Sequence, residues 1–395
     1  MRVLLGVTYY RPHVSGLTIY AERLARALVA HGHQVTVLTS RYSSSLSVNE
    51  VVDGVHIVRV PVALRVSKGV IMPTLGVRAA RLMREHDVLS LHLPMFDAAG
   101  LTVRARRGGT PVTLTYHCDL QLPPGPFNRV VGLTVHLANR VAARLADRIV
   151  AYTQDYADHS RLLRQFPGKL VVIPPPVVMP SPTPEDVSAF RETHGLDDSP
   201  VIGMAGRLAA EKGVEHLVAA MPMLSERLPN LKVLFAGPHR EVIGEERYRA
   251  WLMPKIEALG DRWRFLGTLS PEALPAFYGT LDALLLTSTN STESFGLVQV
   301  ESMLCGTPVV ATDLPGVRQP VRTTGMGEIV PPGDSEALAS AVLAVLDNPG
   351  RYGRSREEIE QAFDIEVTIA GYERLFAELL AERREASTAA VEGQG

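Results

Sequence analysis

In its second half the chain reads Ala283-Leu-Leu-Leu-Thr287, then Glu293-Ser-Phe-Gly-Leu-Val-Gln-Val-Glu301, then Cys305-Gly-Thr-Pro-Val-Val-Ala311. The first and third segments contain short apolar runs typical of buried strands, and the segment between them has the pattern of a helix. Cys305-Gly306 places a glycine where helices commonly end. A helix that joins two strands in this way covers a parallel sheet. These residues therefore predict an α/β fold.

Strands and helices alternate in the same way along the rest of the chain. We expect strands at Val3–Tyr9, Gln34–Thr39, His56–Val60, Val88–His92, Val112–Tyr116, Arg148–Tyr152, Leu170–Ile173, Val201–Ala205, Val233–Ala236, Trp263–Phe265, Ala283–Thr287, Val309–Thr312 and Glu328–Val330. We expect helices at Ser15–His31, Thr74–Glu85, Phe127–Ala146, Asp155–Gln165, Val214–Arg227, Arg247–Leu259, Leu274–Tyr278, Phe295–Cys305 and Ser335–Asp347.

A proline-rich segment separates two halves of similar size. Pro174-Pro-Pro-Val-Val-Met-Pro-Ser-Pro-Thr-Pro184 is a stiff connector, because proline locks φ and lacks an N–H donor for a sheet. We therefore predict two doubly wound, Rossmann-like domains, residues 1–177 and 178–364, which face a central cleft. The amphipathic segment 365–385 is long enough to leave its own domain and pack elsewhere, and the small, polar segment 386–395 is expected to be disordered.

The composition is typical of a globular protein. Of the 395 residues, 46% are hydrophobic and 21% are charged, and the length allows two full cores. The two cysteines, Cys118 and Cys305, provide neither a disulfide framework nor a metal-ligand cluster. The N-terminus opens on a strand without the pattern of a signal peptide, and no apolar run approaches the length of a membrane-spanning helix. We therefore expect a cytoplasmic protein.

The net charge of −2 hides opposite charges on the two halves. Residues 1–177 hold 21 Lys and Arg against 10 Asp and Glu, whereas residues 178–395 hold 19 against 32. Much of the basic excess is arginine on helix-like segments: Arg78, Arg81, Arg84, Arg104, Arg106, Arg107, Arg140, Arg144 and Arg148. We expect the first half to meet something anionic, such as the inner face of a membrane. Solvated helix faces are the alternative, and nucleic acid is disfavoured because aromatic residues are sparse among these arginines.

Glu293 and Glu301 lie eight residues apart, on either side of the expected start of a helix. Ser294 is a candidate N-cap, and the free backbone N–H groups after it would form an anion site. Glu301 would then lie seven residues into the helix, roughly 10 Å along its axis. That separation matches the one between the diphosphate and the ribose hydroxyls of a nucleotide. An ordinary crossover helix with two solvated glutamates is the alternative.

Each half opens with a glycine-bearing turn between its first strand and its first helix, His13-Val-Ser-Gly16 and Gly203-Met-Ala-Gly206-Arg207. Neither turn fits G-x-G-x-x-G, and G-x-x-x-x-G-K-[ST] does not occur, which argues against a dinucleotide oxidoreductase and an ordinary P-loop NTPase. Gly206-Arg-Leu-Ala-Ala-Glu-Lys212-Gly213 instead places two cations before a helix. An arginine fork and a lysine point charge can neutralise a diphosphate without a metal ion. A solvated loop is the alternative for this segment alone.

His117 follows a strand in Thr115-Tyr-His-Cys-Asp119. At the expected cleft edge an imidazole can donate to an anionic or hydroxylic ligand near neutral pH, although a structural histidine is the alternative. No metal site is expected, because Asp-x-Asp, His-x-x-x-His and paired cysteines do not occur. Ser-His-Asp chemistry also lacks its Gly-x-Ser-x-Gly elbow.

Together these segments resemble the retaining glycosyltransferases of family 4, whose GT-B architecture consists of two Rossmann-like domains. The resemblance also implies that the C-terminal helix, expected over residues 365–385, crosses back to the first domain. The resemblance covers about residues 1–384, and its most specific element is E-x7-E, here Glu293 to Glu301 with Phe-Gly-Leu inside it. Gly16, the Gly206–Gly213 segment, His117 and Gly306-Thr-Pro-Val-Val310 follow in the family's order. Two segments differ: Ser15 stands where the family usually has glycine, and Leu314-Pro-Gly-Val-Arg-Gln319 departs from the common Gly-Gly…Glu pattern.

The resemblance implies roles for these residues. Glu301 would bind the ribose hydroxyls of a nucleotide-sugar donor, while Arg207 and Lys212 would hold its diphosphate and stabilise the leaving group. Glu293 and His117 would contact the donor sugar. The implied catalytic residues are His117, Glu293, Arg207 and Lys212. The implied donor-binding residues are Gly16, Arg207, Lys212, Glu293, Ser294, Phe295, Gly296, Leu297, Glu301 and Gly316.

Enzymes of this kind transfer a hexose with retention at C1. The implied donor is a UDP- or GDP-sugar, no cofactor or metal ion is expected, and the acceptor would be a hydroxyl on a lipid, a lipid-linked glycan or a small polar molecule. Front-face transfer is favoured because no carboxylate is clearly placed as a nucleophile. A nucleotide-sugar 2-epimerase, which acts without an acceptor, is the alternative enzyme. The non-enzyme alternative is a two-domain sugar-binding protein of the periplasmic type. It is disfavoured because such a protein would need a secretory signal, and the expected signal pattern does not occur.

Overall fold

The computed structural model describes residues 1–66, 69–122 and 125–392. Its strands are β1 Arg2–Gly6, β2 Gln34–Arg41, β3 Asn49–Val52, β4 Val55–Pro61, β5 Leu64–Val66, β6 Gly69–Ile71, β7 Val88–Leu93, β8 Val112–Tyr116, β9 Arg148–Ala151, β10 Leu170–Val172, β11 Val201–Ala205, β12 Lys232–Ala236, β13 Trp263–Gly267, β14 Ala283–Leu286, β15 Val309–Thr312 and β16 Gly327–Val330. Its helices are α1 Gly16–Ala30, α2 Leu75–Met83, α3 Ala98–Gly108, α4 Pro126–Leu145, α5 Gln154–His159, α6 Pro184–Thr193, α7 Val214–Arg227, α8 Glu246–Glu257, α9 Leu274–Thr280, α10 Leu297–Leu304, α11 Gln319–Thr324, α12 Ser335–Asp347, α13 Pro349–Tyr352, α14 Arg356–Phe363 and α15 Ile365–Glu392.

The chain divides into two compact units. Unit 1 comprises Met1–Pro176 together with the C-terminal segment that starts at Ile365, and unit 2 comprises Val177–Asp364. None of the helices within the described ranges combines the length and apolarity needed to cross a bilayer.

Unit 1 is built on an eight-stranded sheet in the order β10-β9-β8-β7-β1-β2-β4-β3. Its neighbours pair in parallel except β3 with β4. From β1 the chain adds β2 on one side and β7, β8 and β9 on the other. Because crossovers between parallel strands are right-handed, α1 lies on one face of the sheet and α2, α3 and α4 lie on the opposite face.

The C-terminal helix α15 packs on the same face of unit 1 as α1. The hydroxyl of Tyr372 lies 2.7 Å from the hydroxyl of Tyr20 on α1 and 2.7 Å from Oγ1 of Thr115 on β8. Ile369, Leu375 and Phe376 of α15 are buried as well, in a stripe that repeats every three to four residues. The last helix of the chain therefore completes the core of the first unit.

Unit 2 has a parallel six-stranded sheet in the order β13-β12-β11-β14-β15-β16. From β11 the chain adds β12 and β13 on one side, then returns to add β14 to β16 on the other. Crossovers therefore run to opposite sides from the point between β11 and β14, and the loops after these two strands separate there. Open α/β sheets bind ligands at such a point, outside the carboxyl ends of the strands.

The predicted α/β fold is confirmed, and each of the thirteen predicted strands occurs with ends displaced by at most three residues. The short strands β3, β5 and β6 and the helices α3, α6, α11, α13 and α14 were not predicted. The strands are only three or four residues long, too short to show a period. The helix predicted over Asp155–Gln165 is wrong in its second half: α5 ends at His159, and only a 3₁₀ turn over Leu163–Gln165 follows.

The prediction of disorder over residues 386–395 is wrong up to Glu392, because α15 continues to that residue. Ala386, Ala389 and Ala390 are strong helix formers, so a helix that is already nucleated extends through them. Residues 393–395 lie outside the described residues.

Candidate active site

Two loops of unit 2 meet at the point where its sheet changes direction: residues 206–213 follow β11 and residues 287–296 follow β14. Oγ1 of Thr287 donates a hydrogen bond to the Lys212 carbonyl at 2.7 Å, and the Thr289 N–H donates to the Glu211 carbonyl at 3.0 Å. Gly213 has a φ of +62°, and a Cβ there would lie 2.3 Å from the Thr287 carbonyl oxygen. Only glycine fits this contact. The sheet thus brings together two segments that are about 80 residues apart.

Each cation of the first loop lies against a glutamate. Nη2 of Arg207 is 2.9 Å from Oε1 of Glu211, and Nζ of Lys212 is 2.5 Å from Oε2 of Glu293. The Lys212 and Glu293 side chains are 20% and 19% exposed, so their charges are partly withdrawn from water. An anion that binds here must either share the two cations with these carboxylates or displace the carboxylates from them.

A buried glutamate outside the first loop also fixes the backbone of this loop. The Ala210 N–H donates a hydrogen bond to Oε2 of Glu245 at 3.0 Å, and Glu245 is buried. Ala210–Lys212 forms a 3₁₀ turn that ends at Gly213, where α7 begins. The position of Lys212 is therefore set by backbone contacts on both sides of it.

Helix α10 begins later than predicted. Its N-cap is Gly296, with a φ of +77°, and a glycine has no side chain with which to cap the first turn. A Cβ on Gly296 would lie 2.4 Å from Cδ2 of Leu286, so packing and backbone both select glycine. The prediction that Ser294 is the N-cap is therefore wrong, because the left-handed turn at Gly296 sets the start of the helix. Glu301 is the fifth helical residue, roughly 6 Å along the axis from Leu297 rather than 10 Å from the predicted start.

Glu301 points into the protein rather than into solvent. It is 5% exposed, and its Oε2 accepts a hydrogen bond of 2.8 Å from the hydroxyl of Tyr278 on α9. The interpretation of Glu301 as a solvated glutamate is therefore wrong. A carboxylate held in this way is a positioned acceptor for hydroxyl donors.

Gln299 was not predicted as a site residue, yet it joins three parts of the site. It is fully buried, and its Nε2 donates to the carbonyls of Phe295 at 2.7 Å and Val317 at 2.9 Å. Val317 follows Gly316 in the turn between β15 and α11, so this turn is held against the residues before α10. The only sequence signal for Gln299 was a polar residue between two valines of a helix. Tyr278 lies 23 residues from Glu301 and had no signal at all.

His117 lies directly after β8 in unit 1, as predicted, but it is only 6% exposed. Its Nε2 is 2.9 Å from Nδ1 of His92, and its Nδ1 forms a hydrogen bond with the hydroxyl of Tyr152. The rings of Tyr20 and Tyr152 stack 5.2 Å apart beside these imidazoles. Together with Tyr372, these residues form a buried histidine–tyrosine cluster. The sequence did not predict this cluster, because its members come from five separate segments.

Both imidazoles of the cluster are neutral near pH 7. Burial lowers the pKa of His92 to about 3. Burial, with a smaller contribution from His92, holds the pKa of His117 well below its usual range. The Nε2 of His92 has no hydrogen-bond partner among the described residues. His117 therefore offers a hydrogen-bonding group, not a charge.

Gly16 begins α1 in unit 1. The Oγ of Ser15, its N-cap, accepts a hydrogen bond from the Thr18 N–H at 3.2 Å. A Cβ built on Gly16 would meet no described atom within 4 Å. Among the described residues, no group of three or more His, Cys, Asp or Glu is arranged to hold a metal ion.

Comparisons with known proteins identify the family. Residues 186–362 match the family model described as glycosyl transferases group 1, and residues 14–179 match that of glycosyltransferase family 4. The D-inositol 3-phosphate glycosyltransferase of Acidothermus cellulolyticus is 30% identical over 94% of this chain and 88% of its own length. This chain belongs to the family 4 glycosyltransferases.

Further relatives agree with this assignment. The 2-deoxystreptamine glucosyltransferase of Streptomyces kanamyceticus is 29% identical over 73% of this chain and 78% of its own length. Among solved structures, Anabaena Alr3699/HepE in complex with UDP-glucose matches with a TM-score of 0.77 and 20% identity, over 97% of this chain and all of that one. The glycosyltransferase described here has the GT-B fold, as predicted. The family also favours glycosyl transfer over the 2-epimerase and sugar-binding alternatives.

Proposed function

We propose that this glycosyltransferase moves a hexose from a UDP- or GDP-sugar to a hydroxyl acceptor, with retention at the anomeric carbon and without a metal ion. The observation that carries the proposal is the pairing of Lys212 with Glu293 across the loops that follow β11 and β14. This pair places a cation and a carboxylate at the point of a doubly wound sheet where ligands bind.

Arg207 and Lys212 are the groups proposed to hold the diphosphate. Both are cations on a loop whose backbone is fixed by Gly213 and Glu245. Charge develops on the diphosphate as the bond to the sugar breaks, and positioned cations stabilise it without having to reorganise. This arrangement supports transfer without a metal ion.

Glu301 is proposed to accept hydrogen bonds from the donor ribose, and Glu293 to contact the donor sugar. The contact between Tyr278 and Glu301 supports the first role, because it fixes the carboxylate in a buried position before a ligand arrives. The backbone from Ser294 to Leu297, Gly316 and Gly16 would line the donor, and His117 would hydrogen-bond the sugar as a neutral imidazole. In the free protein His117 is engaged by His92 and Tyr152, so this role requires an exchange of hydrogen bonds.

The proposed transfer forms a bond between the acceptor oxygen and C1 and breaks the bond between C1 and the diphosphate oxygen. The acceptor proton passes to the departing phosphate oxygen, so no side-chain base is needed. Attack from the face that the diphosphate leaves retains the configuration at C1.

The acceptor is inferred to be a polyhydroxylated ring, either free or carried by a lipid. The names of the two relatives support this, because inositol 3-phosphate and 2-deoxystreptamine are both six-membered carbocycles that bear hydroxyls. The excess of arginine and lysine in residues 1–177 supports an acceptor that is anionic or lies at an anionic membrane surface.

NMR of the reaction tests the proposal. The enzyme is incubated with α-linked UDP-glucose or GDP-mannose, inositol phosphate or 2-deoxystreptamine, and EDTA. We expect an α-linked product with at least one donor, and the same rate after excess Mg²⁺ is added. A β-linked product would contradict retention, and a rate restored only by Mg²⁺ would contradict metal independence. Conversion of the donor at C2 without any acceptor would identify a 2-epimerase.

A further inference from the structure

Helices α2, α3 and α4 pack side by side on one face of the unit 1 sheet and form an arginine-rich surface. Within their described ranges they contain eight arginines and no aspartate or glutamate. These arginines are Arg78, Arg81, Arg104, Arg106, Arg107, Arg129, Arg140 and Arg144, and all of them are exposed. Among the described residues, one ion pair involves these arginines: Nε of Arg81 lies 3.9 Å from Oε1 of Glu85. The surface therefore carries a concentrated, largely uncompensated positive charge.

Hydrogen bonds fix the C-terminal end of α4 against α3. Nη1 of Arg106 on α3 donates a hydrogen bond of 3.1 Å to the carbonyl of Leu145 at the end of α4. Lys169 donates to the carbonyls of Ala143, Arg144 and Ala146 at the same end. The positive charges thus belong to one packed layer rather than to separate, mobile segments.

An apolar stripe runs along the solvent side of α4. Its members lie three or four residues apart, which places them on one side of a helix: Phe127, Val130, Leu133, Leu137 and Val141. The first four are each exposed by more than 60% and Val141 by 36%. The opposite side of α4 is buried through Asn139, Ala142 and Ala143. Soluble helices normally present polar residues to solvent, so a contiguous exposed stripe of this kind marks an interaction surface.

We propose that this face docks on an anionic lipid bilayer. Helix α4 lies along the surface, its apolar stripe enters the boundary between headgroups and acyl chains, and the arginines of α3 and α4 contact lipid phosphates. A bilayer offers both an apolar interior and a layer of negative charge, which are the two properties that this surface complements. The same face of a second copy does not complement it, because two-fold pairing would oppose arginines with no carboxylate on either helix layer.

This inference rests on the proposed function in one respect, because a docked unit 1 serves an acceptor that is carried by or enriched at a membrane. The donor site belongs to unit 2, so donor binding and membrane docking can be measured separately. Neither an apolar stripe nor a basic patch alone gives firm attachment, whereas two signals together do.

Co-sedimentation of the full-length protein with vesicles tests the docking surface. Vesicles of phosphatidylcholine alone are compared with vesicles that contain about one third phosphatidylglycerol, enough to set up a negative surface potential. The first variant combines Phe127→Gln, Leu133→Gln and Leu137→Gln, since glutamine has nearly the helix propensity of leucine. The second combines Arg129→Gln, Arg140→Gln and Arg144→Gln. The matched control is Val367→Gln, an exposed valine of α15 on the opposite side of the sheet.

We expect the wild type and the control to bind anionic vesicles, and this binding to weaken as salt screens the arginines. The apolar variant should partition about tenfold less for each leucine that no longer enters the bilayer. The arginine variant should lose its preference for anionic over neutral vesicles. If the apolar variant fails to fold, the arginine variant, which changes only exposed side chains, decides the question.

Several results would overturn the proposal. No binding of the wild type to either kind of vesicle would remove the bilayer as the partner, and equal binding to neutral and anionic vesicles would contradict the proposed contact between arginines and anionic lipid. Variants that bind like the wild type would place docking elsewhere. A wild-type dimer that the apolar variant dissociates, without vesicle binding, would make the face an interface between copies. Thermal stabilisation by UDP- and GDP-sugars is measured in the same preparations. If neither sugar stabilises the wild type, that result counts against the proposed donor and not against docking.

Discussion

At the scale of single residues, each cation of the candidate donor site is balanced by a nearby carboxylate. Arg207 lies against Glu211 and Lys212 against Glu293. Two adjacent cations on one short loop would otherwise repel each other and strain the turn that Gly213 and Thr287 close. The same carboxylates then compete with an incoming diphosphate.

Replacing Glu293 with glutamine should separate diphosphate binding from sugar transfer. Glu293→Gln removes the charge that competes for Lys212, so we expect UDP to bind about threefold to tenfold more tightly, an effect of about 1 kcal/mol. Transfer from the intact donor should fall, because the proposed sugar contact is lost. Calorimetric titration with UDP and initial rates with the donor measure the two effects. Glu211→Gln is the matched control for the Arg207 pair, and weaker UDP binding by Glu293→Gln would contradict the account.

The histidine–tyrosine cluster predicts how stability depends on pH. The folded-state pKa of His92 lies near 3 and that of an unfolded histidine near 6.5, so the unfolded state binds more protons between these values. The contribution of His92 is therefore complete above about pH 6.5 and is lost progressively on acidification. Between pH 6.5 and 5 it should fall by about 2 kcal/mol.

Urea unfolding of the wild type and of His92→Leu across this pH range tests the prediction. As the pH falls, the unfolding free energy of the wild type should decrease relative to that of His92→Leu. Parallel curves for the two proteins would show that His92 titrates normally.

The sequence predicted the charged residues of the site better than their partners. Lys212, Glu293 and Glu301 stand in recognisable segments, and the sheet brings Lys212 and Glu293 together. Tyr278 and Gln299 could not be predicted, because a local pattern does not show which hydroxyl or carbonyl will lie within reach after folding. The burial of His117 was missed for the same reason.

At the scale of elements, the start of α10 shows how a glycine overrides a capping preference. Ser294 has a favoured N-cap side chain, but Gly296 occupies the left-handed conformation from which the helix begins. Capping preferences are averages over many helices, whereas the position of Gly296 is fixed by its contact with Leu286 on the preceding strand. The prediction of a helix here was therefore correct, but the residue at which the helix begins was predicted wrongly.

The two glycines that flank α10 provide a matched test of this explanation. Gly296 and Gly306 have φ values of +77° and +84°, but a Cβ would clash with Leu286 only at Gly296 and would meet no described atom within 4 Å at Gly306. Gly306→Ala should therefore lower the unfolding free energy by about 1 to 2 kcal/mol through backbone strain alone. Gly296→Ala should lower it by about 2 to 4 kcal/mol, since overpacking adds to the strain.

Urea unfolding monitored by circular dichroism measures both changes. Equal losses at the two positions would mean that the contact with Leu286 does not constrain the start of the helix. A larger loss at Gly306 would contradict the account of how α10 is bounded.

At the scale of the whole molecule, the last helix belongs to the first unit. Helix α15 buries Ile369, Tyr372, Leu375 and Phe376 in unit 1. The length of the amphipathic segment 365–385 was enough to predict a helix that could leave the second half of the chain. Its partner side chains could not be predicted, because Tyr20 and Tyr372 are 352 positions apart.

Removing the Tyr372 hydroxyl should weaken this closure. Tyr372→Phe leaves the hydroxyls of Tyr20 and Thr115 without the group that lies 2.7 Å from each, in a site with no access to water. We expect the unfolding free energy of unit 1 to fall by about 1 to 3 kcal/mol. Hydrogen exchange should accelerate in α15 and β8 and stay unchanged in β14 and β15. Faster exchange spread evenly over both units, or no change in α15, would argue against α15 as a structural part of unit 1.

We propose that Glu301, held by Tyr278, binds the ribose of a nucleoside diphosphate sugar. Calorimetric titration of the wild type, Glu301→Ala and Glu226→Ala with UDP-glucose and GDP-mannose tests it most directly, because Glu226 is an exposed glutamate of the same unit. We expect one donor to bind the wild type and Glu226→Ala equally, and Glu301→Ala to bind it about 100-fold more weakly, since hydrogen bonds to a charged acceptor are lost. Wild-type affinity in a correctly folded Glu301→Ala would contradict the claim.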